Sequence, residues 1–223
     1  MLPALIIETG EHPTASVIWL HGLGADGHDF EPVVPELGLP PELPVRFIFP
    51  HAPVMPVTLN GGYIMPAWYD IRESDLGIEH DGEGIKRSAK AIGMLIEKEL
   101  MQGCPADRIM LAGFSQGAAM ALHVGLRQQQ RLAGIIALSG YLLQPETLPD
   151  SITDAGRTTP IFMAHGVLDP IVPYALGDHG CRKLKALGCT VDWHSYPMEH
   201  HVCAEEIRLL GGWIRERLGL EPG

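Results

Sequence analysis

The stretch that decides the reading of this chain is Arg108-Ile109-Met110-Leu111-Ala112-Gly113-Phe114-Ser115-Gln116-Gly117-Ala118-Ala119-Met120-Ala121-Leu122. Its first five residues have the apolar character of a buried strand, and its last five are helix formers. Between them stands G-x-S-x-G. Strand, sharp turn and helix form the context in which that pattern places a serine on an exposed, strained turn as a nucleophile. The two glycines let strand and helix pass close together. If Ser115 is a nucleophile, the rest of the chain must supply a base, an acid and donors for a developing oxyanion.

The 223 residues suit one domain, 1–223, with a sizeable core. Apolar residues are 46% and charged residues 19%, the balance of a globular chain. The net charge of −11 argues against nucleic acid or an anionic membrane as the main partner. No apolar run is long enough to span a bilayer, so stable membrane insertion is not expected. The first residues lack the basic start of a signal peptide, and Glu8 interrupts their apolar run. Cys104, Cys181, Cys189 and Cys203 form no C-x-x-C pair, which fits reduced thiols and a cytoplasmic setting.

Outward from the motif, short apolar runs alternate with helical stretches. Residues 5–7, 16–20, 45–49, 134–138, 160–164 and 190–194 read as strands. Residues 81–100 read as an amphipathic helix, with Ile85, Ala89, Ile92, Leu95 and Ile96 on one face. Helices are also expected over 29–37, from the motif to about 130, over 176–187 and over 204–218. Residues 50–76 are rich in proline, glycine and aromatics without a clear period, and 144–159 read as a polar surface excursion. The pattern predicts an α/β domain whose mostly parallel sheet is flanked by helices. Ligands of such sheets sit at the carboxyl ends of the strands.

The unusual residues fall at those ends. Asp169 follows the strand 160–164, where it can hold Nδ1–H of a catalytic histidine; a cap on the turn before Pro170 is the plainer role. After the strand 190–194 comes Ser195-Tyr196-Pro197-Met198-Glu199-His200-His201. A base must lie beyond the strand end, which disfavours His194, but spacing alone leaves His200 and His201 open. The Gln116 amide, next to the serine at a helix start, is one oxyanion donor. His194, His200, His201 and Cys203 lack the spacing of a metal site, and no cofactor motif is present. Gly22-Leu23-Gly24 lacks the dinucleotide fingerprint.

Across almost its whole length the chain resembles the phospholipase/carboxylesterase family of α/β-hydrolases, which includes acyl-protein thioesterases and small carboxylesterases. The matching residues are His21-Gly22-Leu23-Gly24-Ala25-Asp26-Gly27, Pro50-His51-Ala52-Pro53, Asn60-Gly61-Gly62, Ala67-Trp68-Tyr69-Asp70, the serine motif, His165-Gly166 through Val172-Pro173, and Tyr196-Pro197-Met198 with its histidine. The order Ser115, Asp169, histidine is that of the fold. The resemblance implies His200 as base, Leu23 N–H as second oxyanion donor, and Trp68 beside the substrate. Glu199 stands where the family has glycine, His201 where it has a small residue, and Pro66 where bacterial members carry arginine. Met65 and Tyr63 from the irregular segment, with Val167 and Leu168 beside the acid, are candidates for an apolar acyl groove. The expected substrate is a small acyl ester or thioester, with a short- to medium-chain carboxylesterase favoured over a protein depalmitoylase. Lysophospholipase activity and a non-catalytic binding protein on the same fold are the alternatives. Family members are often homodimers.

Overall fold

Runs of β-branched and aromatic residues, broken by proline and glycine, set the strands. The structure, a computed structural model, describes residues 1–72 and 81–219. The chain begins with β1 (Ala4–Glu8), β2 (Ala15–Leu20), the one-turn α1 (Val33–Glu36), β3 (Val45–Pro50), and a hairpin of β4 (Val54–Val57) and β5 (Tyr63–Pro66). It continues with α2 (Gly82–Met101), β6 (Ile109–Phe114), α3 (Gln116–Gly125) and β7 (Gly134–Leu138). Two short helices follow, α4 (Leu148–Ser151) and α5 (Asp154–Thr158). The last elements are β8 (Ile161–Gly166), α6 (Tyr174–Ala186), β9 (Val191–Tyr196) and α7 (Ala204–Arg217).

The main sheet has the order β1-β3-β2-β6-β7-β8-β9. β1 runs antiparallel to β3, and every other pair is parallel. Side chains alternate between two cores. On β2, Ile18 and Leu20 join the core shared with Ile85 and Ile92 of α2 and Leu122 of α3. Val17 and Trp19 join the opposite core, with Val34 of α1 and Ile207, Leu210 and Ile214 of α7. Both faces are covered, which is why the central strands are apolar throughout rather than alternating. Among the described residues no helix is long and apolar enough to cross a membrane.

Several expected boundaries moved. Only Val33–Glu36 of 29–37 is helical; turn bonds from Asp29 N to Asp26 O and Glu31 N to His28 O occupy the preceding residues. Prolines 32 and 35, with no N–H, could not extend a longer helix. The helix after Ser115 stops at Gly125, not near 130, because Thr153 takes over its end. Thr153 N donates to Leu126 O, and its hydroxyl donates to Gln128 O at 2.5 Å. The same hydroxyl accepts from Gly156 N and caps α5, so 144–159 is tied down rather than a free excursion. Within 50–76 lies the β4–β5 hairpin, whose Pro56 and Pro66 are tolerated because a two-stranded ribbon has only edges. The last four residues of that segment lie outside the described residues.

The turn at Ser115 is built as its sequence requires. Ser115 has φ +56° and ψ −119°, a conformation rare for a residue with a side chain. Ser115 N donates to Leu138 O at 2.9 Å, and Ser115 O accepts from Ala119 N at 3.1 Å. The flanking glycines are in contact: a Cβ on Gly113 would sit 2.3 Å from the Gly117 carbonyl carbon, and one on Gly117 would sit 2.2 Å from Leu20 O. We expect Gly117→Ala to lower unfolding free energy by about 1–3 kcal/mol through forced separation of α3 from β2. A urea titration reads this.

Beyond the histidine loop, Glu206 in the first turn of α7 is fully buried. Its Oε2 accepts from Cys203 N at 3.3 Å, while Oε1 has no hydrogen-bond partner among the described residues. Burial pushes its carboxyl up to about 7. An unfolded chain sheds that proton near pH 4.5 while the folded chain keeps it, so stability falls as pH rises between the two values and then levels off. Glu206→Gln should remove this slope while keeping the bond to Cys203, making the variant more stable than the parent at pH 8 by about 2–3 kcal/mol. Denaturant midpoints measured at pH 5 and 8 check both the sign and the size.

Candidate active site

The carboxyl ends of β6, β8 and β9 bring three of the expected residues together. Ser115 Oγ lies 2.9 Å from His200 Nε2, and His200 Nδ1 lies 2.7 Å from Asp169 Oδ2. Ser115 and Asp169 are each 8% exposed, so the chain of hydrogen bonds is largely shielded from water. His200 is packed against Phe114, ring centroids 4.8 Å apart, and Phe114 rests in turn on Phe30. His201, by contrast, is exposed, and among the described residues its Nδ1 meets only Val202 O, at 3.1 Å. Glu199 is exposed as well, so both unusual residues of the histidine loop project outward. The loop is held by its backbone: Leu168 N donates to Met198 O, Val167 N to Tyr196 O, and His201 N to Glu199 O.

Asp169 makes the contacts of both roles considered for it. Oδ1 accepts from Ile171 N and Val172 N, each at 2.9 Å, and so caps the turn; Oδ2 is left for His200. Behind it, buried His165 sets Nε2 at 2.8 Å from Val172 O and 3.6 Å from Asp169 Oδ2. Bonding to a carbonyl makes Nε2 a donor, and burial pushes the imidazole below its ordinary pKa, which favours the neutral ring. His165 thus ties the turn to the strand end without adding a charge beside the acid.

On the other side of Ser115, the loop after β2 carries Leu23. The amides of Leu23 and Gln116 donate to no group among the described residues, whereas the neighbouring Gly24 N is bonded to Pro66 O at 2.9 Å. His21, 2% exposed, fixes this loop. Its Nε2 accepts from Ala52 N at 3.0 Å, so Nδ1 is the protonated nitrogen and donates to Gly22 O at 2.8 Å. Burial lowers its pKa and keeps it neutral.

Trp68 is displaced from its expected place at the substrate. Its ring is 1% exposed, and Nε1 donates to His21 O at 2.9 Å. It supports the Leu23 loop from beneath, and its indole N–H is used there rather than in a groove. Around it runs a network that motif reading missed. The Gln116 side chain accepts from Trp68 N at 2.9 Å and donates to Tyr69 O at 2.8 Å; Ser88 Oγ donates to Trp68 O. Gln116 therefore joins the helix start at Ser115 to the segment that carries Trp68. The signal for this was its amide type, which can give and accept at once.

The apolar candidates form a rim. Tyr63 and Ile64 on β5 are 68% and 65% exposed, and Val167, Leu168 and Ile171 stand out from the loop around Asp169. Met65 is half-buried; its sulfur lies 3.6 Å from the position a Cβ would take on Gly24, so the hairpin abuts the Leu23 loop. The exposed side chains of this rim lie on the hairpin and on the loop around Asp169. His194 lies on β9, stacked on Phe162 and away from Ser115, and among the described residues no three His, Cys, Asp or Glu side chains are grouped to hold a metal ion. All four cysteines are unpaired.

Comparison with known proteins matches this geometry to a family. The sequence profile of the phospholipase/carboxylesterase family covers residues 3–217. Acyl-protein thioesterase 1 of Neurospora crassa is 43% identical over 97% of this chain and 92% of its own length. The Yarrowia lipolytica protein of the same name is 39% identical over 97% of each chain. Among solved structures, Zea mays acyl-protein thioesterase 2 superposes with a TM-score of 0.86 at 29% identity, covering 98% of this chain and all of that one. Esterase PE8 superposes at 0.80 with 27% identity, over 97% and 98%. The chain therefore belongs to the phospholipase/carboxylesterase family, with the α/β-hydrolase fold, and is a carboxylic ester hydrolase of the serine esterase type.

Proposed function

We propose that the protein hydrolyses acyl thioesters and esters through Ser115, His200 and Asp169, with S-acyl groups on proteins or peptides as the leading substrate class. The observation that carries this is the unbroken pair of hydrogen bonds from Ser115 through His200 to Asp169. Ser115 Oγ attacks the acyl carbonyl carbon while its proton passes to His200 Nε2. Asp169 keeps the ring oriented and offsets the charge it gains. The free amides of Leu23 and Gln116 receive the oxyanion, a stabilisation that typically contributes about 10²–10³ in rate per donor. Collapse of the tetrahedral species breaks the bond to sulfur or oxygen, and His200 returns the proton to the departing thiolate or alkoxide. Water then repeats the sequence on the acyl-enzyme and regenerates Ser115.

Two features support the thioester substrate. The relatives from Neurospora and Yarrowia are named acyl-protein thioesterases, and they match nearly the whole chain. The rim of Tyr63, Ile64, Val167 and Leu168 offers apolar surface to an acyl chain while leaving room for a bulky leaving group. The same exposed rim favours a second reading, a carboxylesterase for short- to medium-chain esters, since its apolar side chains are spread over the surface. A cytoplasmic setting fits four unpaired cysteines.

Turnover of p-nitrophenyl butyrate and of an S-acylated peptide tests the mechanism. Ser115→Ala, Asp169→Asn and His200→Ala should each lower kcat/KM by about 10³–10⁶, and His201→Ala should stay within about twofold of the parent. Full activity in the Ser115→Ala protein would sink the triad; loss with His201→Ala but not His200→Ala would move the base by one residue. Rates across acyl groups from acetyl to palmitoyl, on oxygen and on sulfur, decide between the two substrate readings.

A further inference from the structure

The two free amides beside Ser115 stand on different elements, Gln116 N at the start of α3 and Leu23 N on the loop after β2. Each is aimed by the carbonyl of its own peptide unit, because in a trans peptide the C=O and N–H lie in one plane and point opposite ways. For the Gln116 amide that carbonyl is Ser115 O, which accepts from Ala119 N at 3.1 Å. For the Leu23 amide it is Gly22 O, which accepts from His21 Nδ1 at 2.8 Å and from Ala25 N at 3.3 Å. These bonds set the direction of each donor. They do not set the position of one donor relative to the other.

A path of side chains does that. Gln116 Oε1 accepts from Trp68 N at 2.9 Å, and Trp68 Nε1 donates to His21 O at 2.9 Å. His21 in turn holds the Gly22 carbonyl, and so the Leu23 peptide. The path thus starts on the residue that carries one donor and ends on the peptide that carries the other. It is braced along its length: Gln116 Nε2 donates to Tyr69 O at 2.8 Å, Ser88 Oγ donates to Trp68 O, and Tyr69 and Tyr141 share a bond between hydroxyls at 2.6 Å. Gln116, Trp68, His21 and Ser88 are all buried, where such bonds are not exchanged for water.

We propose that the Gln116 side chain, acting through Trp68 and His21, is a positioning group that fixes the spacing of the two oxyanion donors, and that it therefore governs the rate of acyl transfer rather than the binding of substrate. The proposal rests on the assignment of the Leu23 and Gln116 amides as those donors. An oxyanion exists only once the carbonyl has been attacked, so a hole held at the wrong spacing costs transition-state stabilisation and leaves the ground-state complex almost unchanged.

Steady-state turnover of p-nitrophenyl butyrate, with unfolding midpoints measured alongside, tests it. Gln116→Met keeps the length of the side chain but neither accepts from Trp68 N nor donates to Tyr69 O. It should lower kcat by about 10- to 100-fold and leave KM within about threefold. Trp68→Phe, which removes the indole N–H, should lower kcat by a smaller factor. The double variant should lose less than the product of the two single losses, since both act along one path. Ser16→Ala is the structural control: it breaks a buried 2.6 Å bond to Glu99 at the amino end of β2, and should lower the midpoint with kcat near that of the parent.

Gln116→Glu supplies the conservative rescue. Burial raises its carboxyl pKa, and the protonated acid accepts and donates as the amide does, whereas the carboxylate cannot donate to Tyr69 O. The ratio of its kcat to that of the parent should therefore be highest at about pH 6 and fall toward about pH 9. His21, lowered by burial, and Tyr69 and Tyr141, raised well above the usual value and to about 12, stay neutral across that range. His200 titrates in both proteins and cancels in the ratio. Should Gln116→Met fail to fold, Trp68→Phe and this pH dependence carry the test. Parent kcat in Gln116→Met, a loss confined to KM, fully multiplicative single losses, or a flat ratio for Gln116→Glu would each overturn the proposal. Ser115→Ala run in parallel separates the two readings: if it is inactive while Gln116→Met keeps the parent's kcat, the nucleophile stands and the positioning role falls, and if it is fully active both fall.

Discussion

The close passage of α3 over the end of β2 is the contact on which the site depends. Gly117 brings its backbone against the carbonyls of Leu20 and His21 so tightly that no side chain fits between. That contact fixes the distance between the two segments that carry the free amides, since Gln116 starts α3 and Leu23 follows β2. Both are held further from beneath. Trp68 bonds to His21 O from below the loop, and the Gln116 side chain grips the backbone on either side of Trp68. A strained serine persists only where its surroundings over-determine it. Here two backbone bonds, two glycine contacts and a buried amide network do so.

The electrostatics follow from the same packing. Hydrogen bonds sort His21, His165 and His200, all near the catalytic face, by role. His21 and His165 are buried, spend a ring nitrogen on a carbonyl, and are pushed toward the neutral form. His200 is half-buried between Asp169 and Ser115. Neutral structural imidazoles leave the acid's charge to a single partner. Asp169 contributes to that division, because one of its oxygens is consumed by the turn amides and only the other points at His200.

Much of this was legible in the chain before any coordinates. Continuous apolar runs, helical spacing over 81–100 and the strand-serine-helix motif are local patterns, and they gave the sheet, α2 and the turn at Ser115. What local patterns cannot register is which distant group claims a residue. The end of α3 is decided by Thr153, nearly thirty residues later. The hairpin Val54–Pro66 hides behind prolines that normally argue against strands. Trp68 is set beside the substrate by the family resemblance, and a large aromatic in an irregular segment fits that role as well as a packing role. Its hydrogen bond to His21 O, across 47 positions of chain, places it underneath instead. The altered histidine loop illustrates the converse: Glu199 and His201 look disruptive in sequence, yet both face solvent and the backbone bonds of the loop do not involve their side chains.

The division between inner and outer residues bears on how such a fold changes its substrate. The parts that would break and form bonds are tied into the core through backbone carbonyls, buried amides and glycine contacts, so each has little freedom to vary. The rim is built differently. Tyr63, Ile64, Val167, Leu168 and Ile171 are largely exposed, and the fold draws little stability from burying them. Under the proposed mechanism, replacing them would alter what an acyl chain or leaving group meets without disturbing the elbow below. Thioester and ester hydrolysis share one sequence of proton transfers, so the difference between them is to be sought in that rim rather than in the triad.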